Sequence, residues 1–121
     1  MKARLQSGGC WLLLVVLSSS HLVTLSAAEK DNMTVCKRVT YKGRVQGVGF
    51  RYTAQEIAAG YSITGYVRNL PSGDVELVAE GAPDQVDAFV GAIARKMMDY
   101  IKQTTVEEIP SGSYKGFTIR Y

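Results

Sequence analysis

The chain has 121 residues, 46% of them hydrophobic, with a mean hydropathy of −0.01 and a formal charge of +3. That length holds one domain, and the apolar fraction excludes disorder along the whole chain. Two cysteines exclude a disulfide-dense secreted scaffold.

Residues 1–28 read as a secretory signal. Lys2 and Arg4 give a positive start, Trp11–Leu17 an uninterrupted apolar run, and Ser26–Ala28 the small residues of a cleavage site before Glu29. The run is far shorter than the roughly 20 residues that span a bilayer. A permanent anchor, with the apolar stretch carried on through Leu22, Val23 and Leu25, is the competing reading. Cys10 precedes the run, so a lipoprotein cleavage site does not fit. The expectation is a secreted or periplasmic protein, membrane-anchored if the signal stays uncleaved.

Cleavage would change the available chemistry. His21, Trp11 and Cys10 leave with the signal; Lys2 and Arg4 leave too, taking the basic count from 14 to 12 against 11 acids, a net charge of +1. A body without histidine excludes Ser-His-Asp and Cys-His mechanisms, and a lone Cys36 excludes a His- or multi-Cys zinc site. A carboxylate-only metal site stays open, but the acids are scattered, without calcium-loop spacing. The near-neutral balance argues against a nucleic-acid partner.

Residues 29–34 read as a polar, flexible N-terminal segment, and the domain is expected over 35–121. Thr34–Lys42 alternates, with Val35, Val39 and Tyr41 on one face, and reads as a strand. A glycine-rich stretch, Gly43–Gly49, follows. Phe50, Ala54, Ile57 and Tyr61 recur at helical spacing, and Gly60 is placed to end that helix in a left-handed cap. Ile63–Leu70 and Asp74–Glu80 are strands flanking the turn signal Pro71–Gly73. Pro83 and Asp84 start a second helix, whose apolar stripe is Val86, Phe89, Val90, Ile93 and Met97, with Arg95 and Lys96 at the negative pole of its dipole. Thr104–Ile109 is a weaker strand. Phe117, Ile119 and Tyr121 alternate with Thr118 and Arg120 in a last one. The order β-α-β-β-α-β-β predicts an α+β domain of ferredoxin-like plan, an α/β sandwich with both helices on one face of a mainly antiparallel sheet and an extra C-terminal strand.

The chemically informative segment is the glycine-rich turn. Glycines at 43, 47 and 49 lie between a strand and a helix start, where backbone N–H groups can converge on an anion and the helix dipole adds positive charge. Arg51 falls in the first helical turn, poorly placed against that dipole unless an anion compensates, and its planar fork suits phosphate oxygens. Spacing alone leaves open a turn chosen only for shape. The stretch is neither a Walker A loop nor a dinucleotide fingerprint.

The run Gly43-Arg-Val-Gln-Gly-Val-Gly-Phe-Arg51, followed by Gly65-Tyr-Val-Arg-Asn-Leu-Pro-Ser-Gly-Asp-Val-Glu76, resembles the acylphosphatase family. Gly81 and Phe117–Tyr121 extend the resemblance to about residues 35–121. It implies a ferredoxin-like α/β sandwich that hydrolyses acyl phosphates to carboxylate and inorganic phosphate, without metal or organic cofactor. It implies that Arg51 holds the phosphoryl group together with the backbone N–H groups of Val45, Gln46, Gly47, Val48, Gly49 and Phe50. Asn69 matches the asparagine that orients the attacking water; without the resemblance it reads as a residue opening the hairpin turn. An amide can orient water but is too weak a base to take its proton, which passes to substrate or solvent.

The chain departs from the family pattern in its leader, since cytosolic residence is usual for small acylphosphatases. It departs again after the second helix, where Arg95–Gln103 replaces a Gly-Pro turn. Arg44 and Arg68 read as solvated surface charge, and Cys36, opposite Val35, as a packing residue. Asn32-Met-Thr34 satisfies the glycosylation sequon. The reading is an enzyme acting as a monomer on a small acyl phosphate, with no nucleic acid and, after cleavage, no membrane. The alternatives are a noncatalytic phosphate-binding or interaction module on the same fold, and a general phosphoesterase, which would need an acid or metal to assist its leaving group.

Overall fold

The structure, a computed structural model, describes residues 33–121. The expected signal and the sequon's Asn32 lie outside the described residues, as does most of the 29–34 segment. Apolar alternation in the sequence becomes strands β1 (Val35–Gly43), β2 (Ile63–Asn69), β3 (Val75–Gly81), β4 (Ile101–Glu108) and β5 (Phe117–Arg120), and the helical stripes become α1 (Phe50–Ala58) and α2 (Pro83–Lys96). One five-stranded sheet results, in the order β4-β1-β3-β2-β5. Neighbours are antiparallel except β2 and β5, which are parallel. This is the ferredoxin-like α+β plan, with the fifth strand added beside β2. Among the described residues no helix is long and apolar enough to cross a membrane.

Both helices pack on one face of the sheet. Val39, Tyr41, Val67, Val75, Leu77 and Ala79 share a core with Phe50, Ala54 and Ala58 of α1 and Val86, Phe89 and Ile93 of α2. The α2 stripe carries on past the helix into buried Met97, which caps it. Pro83 at the first turn lacks only an N–H that would go unpaired there, and Asp84 meets the positive pole of the dipole.

Most strand ends shift by one residue, and two features depart further from expectation. Gly60 is not left-handed. The chain leaves α1 through right-handed Ala59 (φ −62°), and the N–H groups of Ala59, Gly60 and Tyr61 donate to the carbonyls of Glu56, Ile57 and Ala58. A tightened turn of this kind satisfies the last carbonyls without a glycine cap. Strand β4 begins at Ile101, not Thr104, because Ile101 pairs with Gly43 across an irregularity in β1. Its sequence hides this: Lys102–Glu108 is exposed throughout, so no alternation marks it. Tyr121 lies just beyond β5.

The face away from the helices is polar and partly strapped. Strand β3 is central and buried on both sides from Val75 to Glu80, which puts two carboxylates inside. Glu76 accepts hydrogen bonds from the Tyr66 hydroxyl at 3.0 Å and from Arg68 Nε at 2.7 Å. Glu80 accepts from the Ser111 hydroxyl and, at 3.2 Å, from the Gly112 N–H. Buried carboxylates need such partners. The Arg68 side chain is therefore not the purely solvated charge expected from sequence: it stays partly exposed while its Nε neutralises a buried acid. Ile109 and Tyr114 pack beside Cys36, Tyr66 and Val78, and Arg120 stacks 3.8 Å from the centre of the Tyr66 ring.

Candidate active site

The register explains where the site lies. Tyr41 of β1 and Asn69 of β2 both pair with Val75 of β3, from opposite sides. Strands β1 and β2 therefore run the same way with β3 between them, and their C-terminal ends emerge at one edge. Parallel β5 pairs Arg120 with Arg68, which brings Tyr121 to the same edge beside Asn69. Crevices at the carboxyl ends of strands are the usual ligand sites of sheets with such crossovers.

The turn from β1 into α1 is pinned by its apolar residues. Val45 is fully buried, Val48 packs on the core, and Phe50 is buried with its ring 4.9 Å from that of Tyr41. Between these anchors Gly47 (φ 79°) and Gly49 (φ 78°) are left-handed, a conformation costly for any residue with a Cβ. The resulting alternation turns successive N–H groups outward. Among the described residues, no N–H group from Val45 to Tyr52 donates to a backbone carbonyl; the flanking groups do, Arg44 to Tyr100 and Thr53 to Gly49. Gly49 is also the N-cap of α1 and supplies no side-chain cap. The positive pole of that helix therefore adjoins a run of donors without backbone acceptors among the described residues.

A cleft of about 220 Å³ opens there, lined by Val45, Gly47, Gly49, Phe50, Arg51, Tyr52, Asn69, Ile119 and Tyr121. Arg51 and Asn69, distant in sequence, thus share one cleft with the turn. Gln46 and Val48 lie outside its lining. Arg51 takes no part in the ion pairs among the described residues, which join Lys37 to Asp87, Arg38 to Glu107, Lys42 to Asp74 and Arg68 to Glu76. Its guanidinium instead lies 4.9 Å from the centre of the Tyr121 ring. A half-buried arginine held by an aromatic face and left without a carboxylate is available to an external anion. Asn69 is likewise half-buried, and none of the side-chain hydrogen bonds among the described residues uses its carboxamide.

Tyr52, Ile119 and Tyr121 are not among the site residues expected from sequence. Tyr52 follows Arg51 and had a local signal; Ile119 and Tyr121 reach the cleft only through the parallel pairing of β5, which sequence does not announce. Arg44 is exposed, as expected. Cys36 is buried on the back face, where desolvation and then the nearby Glu80 raise its thiol pKa, so it stays a protonated packing group at neutral pH.

A family model described as Acylphosphatase matches residues 37–119. A curated acylphosphatase of Methanospirillum hungatei is 46% identical over 88 residues, covering 69% of this chain and 97% of that protein. The solved structure of an acylphosphatase from Coxiella burnetii superposes with a TM-score of 0.65 at 33% identity, over 79% of this chain and 100% of the other. An acylphosphatase structure from Bacillus subtilis gives the same score at 34% identity, over 74% and 100%.

Proposed function

The chain belongs to the acylphosphatase family, hydrolases of the carboxyl–phosphate anhydride, and we propose that Arg51, the 45–50 turn and Asn69 are the parts that carry out the reaction. The phosphoryl group sits in the turn, its oxygens taking hydrogen bonds from the N–H groups of Val45, Gln46, Gly47, Val48, Gly49 and Phe50 and from the fork of Arg51. Asn69 holds a water in line with the bond to be broken. Water oxygen attacks phosphorus, the phosphorus–acyl oxygen bond breaks, and its electron pair leaves on the carboxylate. The water proton passes to the phosphate product or to solvent.

The observation that carries this reading is a turn whose N–H groups have no backbone acceptor among the described residues, lining one cleft with an arginine that takes no part in the ion pairs among those residues. A carboxylate is a good leaving group, so positioning and stabilisation of charge on the equatorial oxygens supply most of what is needed. The test is hydrolysis of an aryl acyl phosphate by the purified protein in EDTA, with Arg51→Ala and Asn69→Ala checked for folding by circular dichroism. Each variant is expected to lose about 100-fold or more in turnover. A folded parent that binds phosphate without turnover would leave a binding module in its place.

The same proposal places the working domain outside the cytoplasm, on the strength of the 1–28 segment. Mass spectrometry of the exported protein is expected to find Glu29 at its N-terminus; an intact Met1 end on a membrane-bound product would make the segment an anchor.

A further inference from the structure

Gln46 has a side chain that the backbone role does not use. It turns out of the cleft, and its Nε2 donates to the carbonyl oxygens of Leu70 and Asp74, each at 2.8 Å. Two carbonyls at one end of a carboxamide fix its orientation, because only the NH₂ end can satisfy both. Those same carbonyls close the β2–β3 hairpin: the Leu70 N–H donates to Asp74 at 2.9 Å and the Gly73 N–H to Leu70 at 3.1 Å. One side chain of the anion-binding turn is therefore bonded to both flanks of the hairpin turn that begins at Asn69.

The other ties of the turn run elsewhere. The Arg44 N–H reaches Tyr100 beside β4, and Val45 is sunk in the core. The ion pair from Lys42 to Asp74 also reaches the hairpin, but its lysine is half-exposed and such a pair is loose and screened by salt. Gln46, part-buried and doubly bonded, is the stiff link between the two halves of the site. We propose that Gln46 is a positioning residue: its carboxamide sets the spacing between the phosphate-holding turn and Asn69, and so the line along which the water approaches. This rests on the reading of Asn69 given above.

The perturbation is Gln46→Met, which keeps the length and volume and removes both donors. Each carbonyl retains a backbone donor, so the hairpin stays satisfied and the fold is expected to survive. Gln46→Asn, one methylene short of its partners, is the second variant. Both are expected to lower kcat by about 10- to 100-fold, the scale of a misplaced reacting group, with KM and the inhibition constant of inorganic phosphate within about twofold of the parent. In an Asn69→Ala background Gln46→Met is expected to cost less than about threefold further, because a link to an absent side chain has nothing left to place. Unchanged kcat in folded single variants overturns the proposal. So does the same fold-loss with and without Asn69, or a phosphate affinity that falls in step with kcat, which would make Gln46 a shaper of the turn alone. An Asn69→Ala protein with full turnover removes the reading of Asn69 and the proposal with it, whereas a crippled Asn69→Ala beside a normal Gln46→Met refutes the proposal only.

Discussion

Tyr41→Phe isolates one oxygen beneath the site. The Tyr41 ring is fully buried against Phe50, and its hydroxyl has no hydrogen-bond partner among the described residues. A buried, unpaired hydroxyl costs about 1–3 kcal/mol. The gap left by one oxygen costs only a few tenths of a kcal/mol, at about 24 cal/mol per Å³ of cavity. Tyr41→Phe is therefore expected to stabilise the domain at pH 7 by about 0.5–2 kcal/mol, read as a higher urea midpoint at constant m. A second signature lies at alkaline pH. Burial raises the Tyr41 pKa above its ordinary value, so the native state keeps a proton that the unfolded chain releases near pH 10. The stability tied to that proton is whole below pH 10 and falls above it, by about 1.4 kcal/mol per pH unit, until the native hydroxyl ionises. Phenylalanine has no such proton, so the advantage of the variant should widen between pH 9 and pH 11. Tyr66, also raised by burial and by its bond to Glu76, contributes its share to both proteins and cancels in the comparison. Urea titrations followed by circular dichroism at pH 7, 9, 10 and 11 measure both effects. Destabilisation by 1 kcal/mol or more at pH 7, or parallel pH curves, would refute the account of an unpaired hydroxyl.

Two further changes probe the cleft. Gly49→Ala meets no atom within 4 Å, so its expected cost is that of a left-handed residue with a Cβ, about 1–2 kcal/mol by urea titration; a loss above about 3 kcal/mol would mean a clash that this geometry excludes. Tyr121→Leu removes the ring under Arg51 and is expected to raise the inhibition constant of phosphate by about two- to fivefold, the worth of an exposed cation–π contact, while Tyr121→Phe stays within twofold. Equal losses in both Tyr121 variants would place the effect in the hydroxyl and not the ring.

Sequence pattern carried the layers of this fold because the elements that make them are amphipathic. The α2 stripe of Val86, Phe89 and Ile93 and the β1 alternation of Val39 and Tyr41 each have one wet face to contrast with the dry one. Strand β4 has two wet faces, so nothing in Lys102–Glu108 varies with period two, and the sequence pattern does not mark its start. Strand β3 has the opposite difficulty. Glu76 and Glu80 look like the polar face of a half-exposed strand, and only the position of β3 in the middle of the sheet, with 109–116 crossing one side, buries them. The glycine-rich turn proposed to hold the anion was legible for a local reason: Gly47 and Gly49 are needed where the chain turns left-handed. Asn69 was legible only through the family resemblance, since its own neighbours describe a hairpin. What makes it a neighbour of Arg51 is a register, Asn69 and Tyr41 meeting Val75 from two sides, that links residues far apart in the chain.

That register also explains the length of the turn. With β3 between them, the ends of β1 and β2 stand two strand spacings apart, roughly 9–10 Å. A tight connection from β1 into α1 would leave Arg51 over its own strand and Asn69 out of reach. Residues 44–49 span the gap instead, with Val45 as the inner anchor, Gln46 bonded across to the far hairpin, and the two left-handed glycines carrying the chain back to Phe50. The donors this exposes belong to peptide groups, which do not titrate and lose little freedom when an anion binds. On the proposed reading, such a site needs no histidine to tune and no acid to assist a leaving group that is already stable as an anion. Its demand is placed on distance, and three strand ends meeting at one edge of the sheet are what hold that distance.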